Sequence, residues 1–91
     1  MKVVLSPRAE LDFEAQVRWL KEHSPDVGRR AATQIIETLN LLSDFPRLGV
    51  GVGQGVREKH IQFGRDGFVL RYRIKGQTLW VLRILHGRQA R

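Results

Sequence analysis

Side chains able to hold an anion or move a proton gather between residues 57 and 88, among them Arg57, Lys59, His60, Arg65, Arg71, Arg73, Arg83, His86 and Arg88. A guanidinium presents a planar fork of donors matched to phosphate and carboxylate oxygens, so this set favours an anionic partner. Arg71 and Arg73 share one face of any strand that contains them, and Arg83 joins them if the neighbouring strand is in register, which would make an anion-binding surface of about three guanidinium groups. His86 stands beside Gly87-Arg88, where a general acid or base would have a cation next to it; equally, a histidine at a strand end serves as a structural cap. Only Glu58 and Asp66 supply carboxylates in this half, and no Ser-His-Asp arrangement is apparent. His23, His60 and His86 are too scattered for a metal set, so neither metal nor cofactor is expected.

Charge follows the same division. Residues 1–46 carry six basic and seven acidic residues, a net of −1, whereas residues 47–91 carry ten basic residues against two acidic ones, a net of +8. Of the 16 basic residues 12 are arginine. The partner suggested is nucleic acid or an acidic protein segment, the alternative being a face made basic for solubility. With 91 residues and no cysteine, the chain has room for one core and neither a disulfide framework nor thiolate metal sites. One domain over 1–91 is expected. No apolar run reaches the length of a signal sequence or a membrane span, which makes the cytoplasm the expected location and leaves no role for a membrane.

The elements that must position these residues are legible in outline. Lys2 to Leu5 reads as a strand. Ser6-Pro7 then caps a helix, because the serine oxygen accepts an orphan amide and proline has no N–H to leave unpaired in the first turn. Ala9, Phe13, Val17 and Leu20 give it an apolar stripe to about His23. Ser24-Pro25 breaks the chain into a second helix from about Asp26 to Asp44, with Ala31, Ile35, Leu39 and Leu42 on one stripe, and the two pack as a hairpin. Gly49, Gly51, Gly53 and Gly55 follow Phe45-Pro46 and predict a mobile connector. They match neither GxGxxG nor GxxxxGK, and they follow a helix where a phosphate loop requires a strand. Val56 to Phe63 is an irregular strand. Phe68, Leu70, Tyr72 and Ile74 alternate with Val69, Arg71, Arg73 and Lys75 in a half-buried strand with one basic face. Gly76-Gln77 turns it into Thr78–His86, apolar on both faces and expected at the centre of the sheet, with Trp80, Leu82 and Ile84 on one side and Leu79, Val81, Arg83 and Leu85 on the other.

Over essentially its whole length the chain resembles toxins of the RelE/ParE superfamily from bacterial type II toxin–antitoxin systems. The resemblance is carried by Pro7-x-Ala9-x-x-Asp12, Leu42-x-x-x-Pro46-x-x-Gly49, Gly55-x-Arg57, Tyr72-Arg73 and Ile84-Leu85-His86-Gly87-Arg88-Gln89. It implies an α+β fold of order β-α-α-β-β-β, a helical hairpin packed on a twisted antiparallel sheet. It also implies a cognate antitoxin, ParD-like or similar, whose disordered C-terminal segment folds against the toxin, with the hairpin and a sheet edge receiving it.

Two branches of the superfamily imply different targets. The ParE branch acts on DNA gyrase and blocks replication without chemistry of its own; in that reading Arg57, Arg71, Arg73, Arg83, His86 and Arg88 are the contacts with gyrase or the gyrase–DNA complex. The RelE branch cleaves messenger RNA in the ribosome; here His60, Arg83 and Arg88 would be the corresponding set. The closing His86-Gly87-Arg88-Gln89 and the Gly55-x-Arg57 segment resemble the ParE branch more closely. Moreover, the sequence reaches only Arg91 and its single tyrosine, Tyr72, is expected in the core, leaving a cleavage site of the RelE type without its stacking group.

Overall fold

In the computed structural model, which describes residues 1–90, the chain runs β1 (Lys2–Leu5), α1 (Pro7–His23), α2 (Pro25–Asp44), β2 (Val50–Gly53), β3 (Val56–Ile61), β4 (Phe68–Lys75) and β5 (Thr78–His86). The cap signals act as read. Ser6 accepts a hydrogen bond from the Ala9 amide at 3.0 Å, with Pro7 in the first turn. Ser24 both ends α1, through its N–H to the Leu20 carbonyl, and caps α2 through its side chain, so one residue turns the hairpin.

The five strands form one sheet in the order β1-β5-β4-β3-β2. Ala9, Ala31, Ile35 and Leu42 from the helices meet Ile61, Phe68, Leu70, Tyr72, Leu79, Val81 and Ile84 from the sheet in a single buried cluster. The helices cover one face of the sheet; on the other, Val69 and Leu85 are buried near the C-terminal end of β5, while Arg73, Lys75 and Trp80 at the opposite end are exposed.

Three features depart from the sequence expectation. The sheet is mixed, because β1 lies parallel to β5, Lys2 opposite Thr78 and Leu5 opposite Val81. A strand and its partner more than 70 residues later share no local signal, whereas the tight turns that mark antiparallel pairs do. Second, the expected connector contains a strand: β2 pairs antiparallel with β3, giving β-α-α-β-β-β-β. Its turn needs positive φ at Gly53, Gln54 and Gly55, and the glycines make a hairpin possible there, not a loose link. Third, the β4–β5 register shifts between Arg71 and Tyr72, where Tyr72 faces Val81 and Arg71 faces Arg83. Leu82 is the additional residue of a β-bulge. It resets the alternation, so that Leu79, Val81 and Ile84 are buried together in the core while Trp80 is exposed. The simple two-residue period had grouped Trp80 with Ile84.

Candidate functional site

The arginines of the basic half meet different fates. Arg57 lies across from Tyr72. Its guanidinium donates to the Gly49 carbonyl at 2.8 Å and to that of Arg47 at 3.4 Å. The fully buried Tyr72 hydroxyl donates to the Pro46 carbonyl at 2.7 Å and accepts from the Gly49 amide at 2.8 Å. Gly49 is required here: a Cβ would stand 2.6 Å from the Tyr72 Oη and 2.9 Å from the Glu58 carbonyl oxygen. Pro46, Gly49, Arg57 and Tyr72 therefore form one knot tying the end of the helical hairpin to the sheet.

Arg71 is bound by Glu58 on the neighbouring strand, and Arg83 by Asp12 of α1. The second pair does more. Asp12 Oδ2 accepts from Arg83 Nε at 2.8 Å and from the Ile84 amide at 2.9 Å, while Arg8 stands 3.5 Å from Oδ1. β1 stops pairing at Val81; beyond it, α1 closes the edge of β5 with side chains. Ser6 Oγ donates to the Leu82 carbonyl at 3.0 Å and Gln16 Nε2 to that of Ile84 at 2.6 Å. Burial alone would push the Asp12 carboxyl up. The Arg83 hydrogen bond, the Ile84 amide and the charges of Arg83 and Arg8 outweigh it and hold Asp12 below the ordinary carboxylate range. The same hydrogen bond raises Arg83 further above its usual value.

His86 and Arg88 belong to a compact turn after β5. The Arg88 amide donates to His86 Nδ1 at 3.2 Å, the His86 amide to Gln89 Oε1 at 2.9 Å, and Arg88 Nε lies 3.3 Å from Asp66 Oδ2. Gly87 donates to the Gly67 carbonyl at 2.9 Å, and a Cβ on it would fall 1.9 Å from the Asp66 carbonyl oxygen. The turn borders a groove of about 730 Å³ whose apolar wall includes Trp19, Leu20, Val27, Phe63 and Phe68. The His86 ring stands edge-on to Phe68. His60 is exposed on the open sheet face, across from Val69, which in turn lies across from Leu85.

Among the expected site residues, Arg73 differs: it is exposed and, among the described residues, engages in no ion pair. Arg71 and Arg83 do lie opposite one another as anticipated, yet both are engaged by carboxylates, so the trio does not form a free anion surface. Two participants were not anticipated. Asp12 had been named only within the Pro7-x-Ala9-x-x-Asp12 motif, with no role of its own, because its partners lie 71 and 72 residues away. Trp80 lies directly across from Arg73; counting back from the Gly76-Gln77 turn would have paired them.

The fold and motif geometry agree with comparisons to known proteins. The profile described as ParE toxin of type II toxin-antitoxin system, parDE, matches residues 3–91. The chain belongs to the ParE toxin family. Two curated relatives from Caulobacter vibrioides bear the other branch's name: Toxin RelE1, 37% identical over 98% of this chain and 96% of its own, and Toxin RelE3, 34% identical over 98% and 97%. A solved structure titled "Chromosomal ParDE TA system from P. aeruginosa" superposes with a TM-score of 0.74, covering 94% of this chain and 95% of that one at 24% identity, which bears out the α+β fold.

Membership of the ParE family, within the RelE/ParE superfamily, makes the chain the toxin of a type II pair, a class that works with an antitoxin. Several of the motifs that carried the family resemblance are accounted for by folding: Pro46, Gly49, Arg57 and Tyr72 build the knot, and Asp12 builds the edge clamp. Among the described residues no helix is long and apolar enough to cross a membrane.

Proposed function

We propose that this ParE-family toxin acts on DNA gyrase and favours its cleaved-DNA complex, thereby blocking replication, and that a cognate antitoxin neutralises it. The observation that supports a binding mode over catalysis is the dispersal of the ribonuclease candidates. Arg83 is held by Asp12, Arg88 stands on the turn after β5, and His60 projects from a strand two places away from β5, about 10 Å across the sheet. Cleavage by the RelE route needs a proton acceptor, cations for the phosphorane charge and a stacking group brought together. Tyr72, the single tyrosine, spends its hydroxyl on Pro46 and Gly49 inside the core.

In the gyrase reading Arg73, His86 and Arg88 are the contacts that remain accessible, with Arg57, Arg71 and Arg83 shaping the surface behind them. The helical hairpin and the open edge of β2 receive the antitoxin. Purified protein added to a supercoiling and DNA-cleavage assay is the direct test. Accumulation of cleaved complex supports the proposal, and normal gyrase activity at saturating toxin sinks it.

A second reading draws on the names of the two relatives. A RelE-like endoribonuclease would use His60 as base with Arg83 and Arg88. It predicts codon-specific cuts in translated messages that disappear in His60→Ala; intact messages during growth arrest exclude it.

A further inference from the structure

The open face of the sheet carries a second surface, at the opposite end of the strands from His60 and the C-terminal turn. Arg73 lies directly across from Trp80, and Lys75 from Thr78. On the other flank Lys2 faces Thr78 and Val4 faces Trp80. Directly opposed residues on neighbouring strands project to the same side. Here that side is away from the core, because Tyr72 and Leu79, the neighbours of Arg73 and Trp80, are fully buried. Trp80 is 39% exposed. Lys2, Arg73 and Lys75 are exposed too, and none of them is in an ion pair among the described residues. Glu58 is the one carboxylate on the strands, and Arg71 holds it. Seven of the nine acidic residues belong to the helices.

From this placement we infer that the β1–β5–β4 end of the open sheet face binds single-stranded nucleic acid, with a base stacked on Trp80 and phosphates held by Arg73, Lys75 and Lys2. A flat aromatic side chain flanked by unpaired cations is what sequence-tolerant recognition of single strands requires, since every base offers a π face. Arg73 and Lys75 recur about 6.8 Å apart along β4, a row suited to a periodic polyanion. Bases inside a duplex are already stacked on one another and present no face to the indole. An acidic peptide would satisfy the cations and leave the indole face without a flat partner. The surface does not depend on the gyrase reading, and its test involves no gyrase.

The experiment uses the full chain carrying Trp19→Phe, so that Trp80 is the sole tryptophan, titrated with dT12 and U12 oligonucleotides. Binding should quench Trp80 emission, and affinity should fall with salt at a log–log slope of about −2, as expected for three phosphates neutralised at about 0.7 each. In fluorescence anisotropy with labelled dT12 and an otherwise unmodified chain, Trp80→Ala should weaken binding at least about tenfold while Trp80→Phe restores most of it. Arg73→Ala should make the slope shallower by about 0.7. Arg29→Ala, on the helical side, should change nothing, and circular dichroism establishes that each variant is folded. The inference is overturned if folded protein shows no quenching, if a 12-base-pair duplex binds as tightly with Trp80→Ala unaffected, or if a polyglutamate peptide quenches Trp80 where dT12 does not.

Discussion

Two regions of the sheet, the edge of β5 closed by α1 and the open face at the Trp80 end, use the same residue types to opposite ends. Where α1 meets the sheet, cations and amides converge on a carboxylate: Asp12 gathers Arg83, Arg8 and the Ile84 amide. On the open face, at the Trp80 end, cations stand beside an exposed aromatic ring with no carboxylate to meet them. Arginine is thus a structural residue or a binding one according to whether the fold brings an acid to it. Charge counted along the chain does not separate the two.

Mutations can break this contrast, beginning with its strongest side. Asp12→Ala removes the partly buried carboxylate that accepts from Arg83 and the Ile84 amide, so it should cost about 2–3 kcal/mol, as losing charge-assisted hydrogen bonds does, and lower the melting temperature by about 10 °C. Gly49→Ala drives a methyl group into the Tyr72 hydroxyl and the Glu58 carbonyl, an overpacking expected to cost about 2 kcal/mol by denaturant titration. Tyr72→Phe leaves the Gly49 amide without its partner and should cost about 1–2 kcal/mol.

Acid sharpens the same comparison. Folding lowers the Asp12 pKa, so its stabilisation is complete above the unfolded carboxylate value of about 4 and disappears as the pH falls through the depressed folded value. Melting temperatures measured from pH 7 to pH 2 should drop along that limb, and Asp12→Asn should flatten it. At the weak end, Arg73→Ala should leave stability within about 0.5 kcal/mol. If it destabilises as much as Asp12→Ala, the open face is structural after all.

Much of the architecture was legible because its signals are local. Ser6-Pro7 and Ser24-Pro25 mark helix starts by the chemistry of orphan amides, and Gly76-Gln77 marks a turn whose register follows from its length. β1, β4 and β5 have the bounds that the pattern implied. What the pattern missed depends on distant partners. The parallel β1–β5 pairing, the Asp12 clamp and the carbonyls that engage Arg57 all join segments that only the fold brings together. The bulge at Leu82 is a different failure: one additional residue shifts the phase of everything after it, so strict alternation grouped the exposed Trp80 with the buried Ile84. Of the expected site residues, Arg57, Arg71 and Arg83 are committed to contacts within the chain, and nothing local in the sequence marks those contacts.

The clamp on β5 has a consequence in time. During synthesis Ser6, Asp12 and Gln16 leave the ribosome some 70 residues before the backbone groups they bind, and translation at about 5–20 residues per second makes that interval several seconds. β5 comes last among the strands yet joins β1 to the rest of the sheet. Until it arrives, the helices have apolar stripes and no sheet centre to lie on. The nascent toxin is therefore neither folded nor armed while most of it already exists, an interval in which a partner that binds unfolded or half-folded chain could reach it first.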